Sequence, residues 1–431
     1  MEQIIEQEDA YAQTLGEQEK DNLKELQANW KEAIDALKLS PHLRRMGNPL
    51  YVLPWYLIIG ESASGKTTAI KSARLASFSD DLRRVSGTRN FGWWFSEHAI
   101  IIDTAGRYSI RVDDDQDKKE WQKFLLLLSK YRKKEPLNGL ILTITAEKLL
   151  ATADPEELKD DGRILRHRAD ELMRILRVTF PVYVLVTKCD LIQGMTEFSG
   201  HLPDKGLEQA MGMVNNNFSA KPDVLTERSL HTTGDHLRDI RLILLNKPGT
   251  KEVDPKLLLF PEEFESMKPG LTAFIEGMFQ EHPLRESPIL RGIFFSSGHQ
   301  EGRPFSQFLN ALGLTSEKEN LPATDKGIFL HDFFVNILHK DRELFPYAPT
   351  YTKNISLTKY IGLASAAAII IALCGLLVFS FIRNRGLINE ASQKLSKCSA
   401  ISQEGKGTEK QADCLRKAVS ALESGNRGWW H

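Results

Sequence analysis

The chain has 431 residues, with 56 Lys and Arg against 57 Asp and Glu, and a formal net charge of −1. Such a balance excludes a global electrostatic field that would favour nucleic acid or an acidic membrane surface. The four cysteines are too few for a disulfide scaffold, and no CxxC or HExxH spacing supports a zinc site. The length allows two or more domains.

Residues 1–48 predict an amphipathic helical segment. Apolar residues recur at helical spacing from Leu23 to Leu37 among Glu, Lys and Gln. The acidic start lacks the apolar stretch of a secretory signal. We expect the apolar face to pack on the next domain; membrane-surface binding is less favoured because the polar face is not mainly basic.

Five short apolar runs predict buried parallel strands, because they are rich in Ile, Val and Leu without polar alternation. They are Trp55–Ile59, Ala99–Ile102, Leu140–Thr145, Val182–Thr187 and Gly292–Ser296. Helix-like stretches lie between them, at Gly65–Phe78, Lys118–Lys134 and Pro155–Leu176. Alternating strands and helices predict an α/β fold with a doubly wound sheet, whose core we assign to residues 49–196.

A glycine-rich motif, GESASGKT, follows the first predicted strand and opens a helix-compatible stretch. It matches G-x-x-x-x-G-K-[ST], in which backbone N–H groups surround phosphate oxygens. Lys66 would reach the β/γ-phosphates, and Thr67 would bind Mg²⁺. The sequence thus predicts a P-loop NTPase fold of small-GTPase type, with a nucleotide-binding loop made of Gly60, Glu61, Ser62, Ala63, Ser64, Gly65, Lys66, Thr67 and Thr68.

A second motif, DTAG, directly follows the second predicted strand. Asp103 could hold the Mg²⁺ shell, and the glycine could present an N–H to a γ-phosphate. Thr88, between the two motifs, is a candidate to complete that shell, or an ordinary loop residue. Arg107 stands where Ras-type GTPases carry a catalytic Gln; it cannot act as a base but could stabilise transferred charge beside Lys66.

Two further motifs end later strands. TKCD, with Thr187, Lys188 and Asp190, is the type that reads guanine, because a carboxylate can accept hydrogen bonds from the guanine N–H groups. SSG, at Ser296–Gly298 (Ser296, Ser297 and Gly298), is similar to a loop that contacts guanine through backbone N–H groups. All four motifs fall at the C-terminal ends of strands, where ligands of open α/β sheets bind. The TKCD motif favours GTP over ATP, because adenine lacks that pair of donors, and Mg²⁺ would accompany the nucleotide.

The remaining segments differ in composition. Residues 197–287 predict an α-helical subdomain, and residues 288–350 hold the last strand, the SSG loop and a helical extension. Residues 360–382 have no charge; as a helix they would be about 34 Å long, enough to cross a membrane. Residues 383–431 follow that span. Cys398 and Cys414 could pair if this part were periplasmic, or remain unpaired.

Several longer stretches resemble one family. GTRNFGWWF, AIIIDTAGRY, TKCDLIQGM, RGIFFSSGHQEG and FLHDFFVNILHKDRELF, in this order, resemble the N-terminal part of TssM/IcmF proteins of type VI secretion systems. The resemblance covers about residues 45–385. It implies a GTPase-like cytoplasmic domain, a bacterial inner-membrane helix and a large periplasmic region. It also implies a TssL-like membrane partner, a TssJ-like outer-membrane lipoprotein, baseplate contacts and an oligomeric complex.

Two departures from the family accompany this resemblance. The family usually carries a pair of membrane helices before the GTPase-like domain, and here the chain begins with a soluble helix. About 49 residues follow the span, which fits either a fragment or a shortened member. Three hypotheses remain open: a nucleotide switch of low NTPase activity within the secretion complex, a structural scaffold that does not need nucleotide, and, less favoured because of TKCD, an ATPase motor.

Overall fold

The computed structural model describes residues 17–77, 91–109, 115–151, 154–218, 220–246, 254–280, 287–306, 308, 321–324, 326–344, 353–403 and 408–427. The chain divides into two compact units, residues 1–351 and residues 352–431. The first is a mixed α/β unit, and the second is helical in its described residues.

A seven-stranded sheet organises the first unit. Its strands are β1 (Trp55–Gly60), β2 (Phe91–Phe95), β3 (Ile100–Thr104), β4 (Gly139–Thr145), β5 (Pro181–Thr187), β6 (Met211–Val214) and β7 (Ile289–Phe295). The order is β2-β3-β1-β4-β5-β7-β6. The five inner strands pair in parallel, and β2 and β6 pair antiparallel at the edges. The five predicted strands are thereby confirmed as the parallel part of the sheet.

The helices of the first unit mostly connect these strands. They are α1 (Glu17–Leu39), α2 (Pro41–Met46), α3 (Lys66–Ser72), α4 (Asp115–Tyr131), α5 (Ala146–Ala151), α6 (Pro155–Leu176), α7 (Met195–Gly200), α8 (Asp204–Glu208), α9 (Pro222–Leu245), α10 (Pro255–Glu265), α11 (Lys268–Phe279) and α12 (Leu338–Leu344). A π-helical turn, Phe333–Ile337, leads into α12. Together with the sheet they bury two apolar clusters, one containing Leu57 and the other its neighbour Ile58 on β1.

Helix α6 has the bounds that the sequence predicts, because its ends carry strong local signals. Asp154 caps it by accepting the N–H of Glu156 at 2.9 Å, and Pro155 occupies the first turn. Arg177 ends it in a left-handed conformation. Its Gly162 lies against the backbone of Phe274 on α11, where a Cβ would come within 2.3 Å of a carbonyl oxygen. The two helices therefore pack with their backbones close together.

The N-terminal helix α1 packs on the sheet, as expected from its apolar face. Trp30 is 1% exposed and meets the ring of Trp93 edge-on at 4.8 Å, with Trp55 at 6.3 Å. Such aromatic pairs contribute roughly 0.5–1.5 kcal/mol beyond their buried area. The helix therefore belongs to the core of the first unit.

The structure also contains short strands that the sequence did not predict. Strand β6 lies within residues 197–287 and pairs antiparallel with β7. Strands β8 (Gln300–Gly302) and β9 (Leu321–Thr324) form a second, two-stranded sheet within residues 288–350. Each of these strands has four residues or fewer, which is too short to show a hydrophobic period, so periodicity did not predict them.

The second unit consists of α13 (Lys353–Gln403) and α14 (Thr408–Arg427), joined by a disulfide between Cys398 and Cys414. Within α13, residues Ala364–Cys398 contain a stretch apolar and long enough to cross a membrane, with mean hydropathy 2.6 and none of that stretch buried. It overlaps the span predicted at residues 360–382.

Candidate functional site

The glycine-rich loop connects β1 to α3 at the C-terminal edge of the sheet. Ala63 and Gly65 have left-handed backbones, with φ of 61° and 79°. Hydrogen bonds from the ends of β4 and β5 fix the loop. Thr187 donates to the carbonyl of Ser64 at 2.6 Å, and the hydroxyls of Ser64 and Thr143 lie 2.8 Å apart. Ser62 and Ala63 are exposed. The loop is therefore fixed at its base and open at its tip.

Lys66 directs its amine back into this loop. The amine donates to the carbonyls of Gly60 at 2.6 Å and Glu61 at 2.7 Å, and lies 3.4 Å from the hydroxyl of Ser64. Burial lowers the pKa of Lys66 to about 8, although the charges of Asp103 and Glu61 oppose the shift. A phosphate group would have to replace these carbonyls as the partner of the amine.

Thr67 and Asp103 form the most specific contact of the site. The Thr67 hydroxyl donates to Oδ2 of Asp103 at 2.5 Å. The carboxylate of Asp103 is 7% exposed. Burial raises its pKa, and hydrogen bonds from Thr67 and from the indole of Trp94, together with the charge of Lys66, oppose that rise. A hydroxyl beside a buried carboxylate fits a hard cation such as Mg²⁺, which takes oxygen ligands.

The DTAG segment closes against the glycine-rich loop. A Cβ at Gly106 would come within 2.1 Å of the backbone nitrogen of Ser62, so this position accepts no side chain without a shift. Ser109, three residues later, accepts the N–H of Gly60 and donates to the carbonyl of the same residue, both at 2.8 Å. We call residues 60–68, Asp103 and Gly106 the loop corner.

Arg107 lies next to the loop corner but is paired elsewhere. Its Nε lies 3.1 Å from Asp117, and its Nη2 lies 2.8 Å from Glu120 on α4. The same nitrogen donates to the hydroxyl of Tyr108 at 3.1 Å. The side chain would have to leave two acids to act on a ligand. Thr88, the other predicted residue of this region, lies outside the described residues.

The TKCD and SSG segments meet at a neighbouring corner. We call residues 188–190 and 296–298 the TKCD corner. The N–H of Cys189 donates to the carbonyl of Ser296 at 3.1 Å, and a Cβ at Gly298 would lie 3.0 Å from the carbonyl carbon of Thr68. Lys188 has a left-handed backbone and lines a cavity beside the glycine-rich loop. The fold therefore brings all four motifs to one edge.

Asp190 is turned inward at this corner. Its side chain is 1% exposed and accepts from the hydroxyl of Ser297 at 2.6 Å; Gln300 in turn donates to that hydroxyl at 3.0 Å. Burial raises the pKa of Asp190, while Ser297 and backbone N–H groups, including that of Glu301, lower it. Reading a base would require this carboxylate to exchange its buried partners.

A cavity of about 210 Å³ adjoins the glycine-rich loop. Its charged lining includes Glu61, Lys148 on α5, Asp161 on α6 and Lys188; its apolar lining includes Leu165 and Phe274. Lys148 lies 2.5 Å from Glu61 and 2.5 Å from Asp161. Ion pairs through Lys148 therefore connect Glu61, the second residue of the loop, to α5 and α6.

Sequence reasoning missed Thr143, Ser109 and Lys148, each of which contacts the loop. Thr143 lies near the C-terminal end of β4, next to β1 in the sheet, so the rule that ligands bind at strand ends could have identified it. Ser109 and Lys148 belong to no motif. Their contacts depend on how distant segments fold together.

Comparisons with known proteins cover two different extents of the chain. The IcmF-related N-terminal domain family matches residues 114–366, a range that includes TKCD and SSG but begins after GESASGKT and DTAG. The chain is 30% identical over 394 residues to the type VI secretion system component TssM1 of Pseudomonas aeruginosa. That alignment covers 87% of this chain and 35% of TssM1, so the chain spans about a third of the length of this curated relative.

Solved structures add no argument. Two crystal structures of SsGBP variants align with 36% of this chain and 50% of their own, at 19% and 18% identity. Their TM-scores are 0.20 and 0.18. Such low scores say nothing about the fold or the activity of this chain.

Proposed function

The chain belongs to the IcmF-related family, and from that premise we propose that it is a membrane-anchored component of a type VI secretion system whose first unit binds a nucleoside triphosphate with Mg²⁺. The bound nucleotide acts as a conformational switch, with slow hydrolysis at most. The small-GTPase-like P-loop fold and its GTP preference over ATP are part of this proposal.

One observation carries the proposal: the Thr67 hydroxyl, at the start of α3, donates to the carboxylate of Asp103, which is 7% exposed near the end of β3. A buried carboxylate costs free energy unless cations or hydrogen-bond donors compensate it, so this pair favours a hard cation beside it. Thr67 and Asp103 would hold Mg²⁺, which would neutralise phosphate charge. Lys66, already buried beside them, would exchange its carbonyl partners for a phosphate oxygen.

The direct test is titration of Mg-GTP and Mg-ATP into the full chain in detergent. We expect wild type to bind in the micromolar range and Lys66→Ala to lose the binding. Thr67→Val should abolish the dependence on Mg²⁺, whereas Thr67→Ser, which keeps the hydroxyl, should retain it. Wild-type binding that is absent at millimolar nucleotide, or unaffected by Lys66→Ala, would overturn the proposal.

Preference for guanine is a separate step with its own test. Asp190 would have to release Ser297 to accept the guanine N–H groups. If it does so, Asp190→Asn lowers affinity for GTP and leaves affinity for ATP unchanged. If the GTP-to-ATP ratio is the same in both proteins, Asp190 acts in structure alone, and the site is a triphosphate site without base reading.

A scaffold that does not need nucleotide is the second candidate, and specific contacts favour it. The amine of Lys66 is satisfied by loop carbonyls, Arg107 is paired with Asp117 and Glu120, and Asp190 is buried. This alternative expects secretion and complex assembly to survive Lys66→Ala at normal protein level. A secretion defect in that variant, with assembly of the chain into the membrane intact, would exclude it.

Membrane placement is also proposed. The apolar part of α13 would cross the bacterial inner membrane, with the first unit in the cytoplasm where nucleotide is available. The disulfide between Cys398 and Cys414 supports a periplasmic second unit, because disulfides persist in oxidising compartments. In spheroplasts, added protease should cleave residues after the span and spare the first unit. Cleavage of the first unit alone would show that the proposed orientation is wrong.

The TssL-like, TssJ-like and baseplate partners implied by the family resemblance remain proposals. So does assembly into an oligomer. Co-purification of the full chain with each candidate from detergent-solubilised membranes would test them one by one. A TssJ-like partner would be expected to bind through periplasmic residues, and therefore to be insensitive to changes at Lys66.

A further inference from the structure

Glu61 places a carboxylate inside the loop proposed to surround a triphosphate. It is the second residue of GESASGKT, and its charge acts on the amine of Lys66, whose pKa it helps to raise against burial. An anion there has two effects on an incoming phosphate: it repels the phosphate directly, and it holds the Lys66 amine on the protein side. A phosphate site with this residue therefore needs a compensating cation.

Lys148 supplies a cation at this position. Its Nζ lies 2.5 Å from Oε1 of Glu61 and 2.5 Å from Oδ2 of Asp161. The exposed fractions of the Lys148, Glu61 and Asp161 side chains are 24%, 42% and 22%. Burial disfavours the charge of Lys148, but its hydrogen bonds with Asp161 and Glu61 outweigh burial and raise its pKa. Lys148 is therefore charged at neutral pH and held by two acids.

We infer that Lys148 is a positioning residue of the phosphate site: by neutralising Glu61 and tying it to α6, it sets the affinity of the glycine-rich loop for a phosphate anion. This inference rests on the proposed nucleotide function and deepens it. Lys148 acts through Glu61, because its amine is held between Glu61 and Asp161.

The backbone around Lys148 fixes this arrangement. The N–H of Lys148 donates to the hydroxyl of Thr145 at 3.2 Å, which places α5 directly on the end of β4. Asp161 precedes Gly162, where α6 packs closely on α11. The ion pair therefore connects the loop to a rigid pair of helices, and a movement of the loop on binding would be resisted or transmitted at Glu61.

The experiment compares Mg-GTP and Mg-ATP binding by the full chain in detergent. Lys148→Met, which keeps the length and removes the charge, should weaken binding about tenfold, equivalent to about 1.4 kcal/mol. Lys148→Arg should bind within about twofold of wild type. The double variant Glu61→Gln/Lys148→Met should recover most of the loss, because the carboxylate that needs the cation is gone.

Lys159→Met is the matched control. Lys159 lies on α6, is 27% exposed, pairs with Glu276 at 3.2 Å and does not line the cavity beside the glycine-rich loop. It should bind nucleotide as wild type does. A second readout needs no nucleotide and measures the hydrogen-exchange rates of the backbone amides of residues 61–64 in the free protein. These rates should be higher than wild type in Lys148→Met and equal to wild type in Lys159→Met.

The outcomes separate this inference from the proposed function. If wild type binds nucleotide and Lys148→Met binds equally well, the inference fails and the proposed function stands. If the double variant is as weak as Lys148→Met, Lys148 acts on the ligand or on folding, and the inference is overturned. If wild type binds neither nucleotide, both fail. Thermal unfolding of each variant identifies a loss of binding that comes from misfolding.

Discussion

The loop corner and the TKCD corner lie at the same edge of one sheet but treat their polar groups differently. At the loop corner, Asp103 accepts from the Thr67 hydroxyl, and Ser62 and Ala63 are exposed. At the TKCD corner, Asp190 is 1% exposed and accepts from Ser297. Motifs of similar placement therefore differ in exposure: the first corner exposes the tip of its loop, and the second buries its carboxylate between two loops.

Asp190→Ala should have the largest effect on stability. It removes the charged acceptor of a buried hydroxyl, and the unfolding free energy should fall by about 3 kcal/mol. Urea unfolding of the full chain in detergent, followed by tryptophan fluorescence, measures this. Asp204→Ala is the control, because Asp204 forms an exposed pair with Lys326 and should leave stability unchanged. Equal stability of the two variants would mean that the TKCD corner is not closed in solution.

The second effect is a pH dependence of stability at the loop corner. Burial lowers the pKa of Lys66 to about 8 from 10.5, so the unfolded chain binds more protons between those values. The cost of the buried charge is fully present below pH 8 and is relieved as pH rises. The unfolding free energy of wild type relative to Lys66→Met should therefore rise by about 2 kcal/mol between pH 7 and pH 10. A difference independent of pH would contradict burial of the charged amine.

Nucleotide affinity should show the opposite trend with pH. Phosphate binding needs the protonated amine of Lys66, and with a pKa of about 8 that form becomes scarce at pH 9. Wild-type affinity should fall about tenfold from pH 7 to pH 9. Lys66→Arg, whose guanidinium stays protonated over this range, corrects for titration of the nucleotide and of other groups. Parallel pH profiles in the two proteins would show that Lys66 does not contact the phosphates.

The smallest effect concerns the base of the loop. The Ser64 and Thr143 hydroxyls, 2.8 Å apart, should contribute a coupling energy of about 1 kcal/mol. A double-mutant cycle with Ser64→Ala and Thr143→Val, read by urea unfolding, isolates it. If nucleotide affinity shows the same coupling energy, this pair of hydroxyls also supports the binding conformation of the loop. Additive changes would mean that the two hydroxyls act independently.

The contrast between the corners also marks how far the sequence could predict the site. It predicted that GESASGKT, DTAG, TKCD and SSG would meet, because each follows a buried strand and parallel strands end at one edge. It could not predict that Asp190 turns inward, since that depends on Ser297 and Gln300, more than a hundred residues away. It assigned Arg107 a catalytic role, while the structure pairs that side chain with Asp117 and Glu120.

Local patterns determined much of this protein. The apolar runs, the cap of α6, the glycine-rich loop and the stretch long and apolar enough to cross a membrane are encoded by neighbours in sequence, where period, length and turn chemistry suffice. Tertiary structure decided the antiparallel edges β2 and β6, the inward Lys66 amine and the link from Glu61 through Lys148 to Asp161. Those features are contacts between residues that are distant in sequence. No local pattern specifies such contacts, because long-range packing and burial determine which side chains become neighbours.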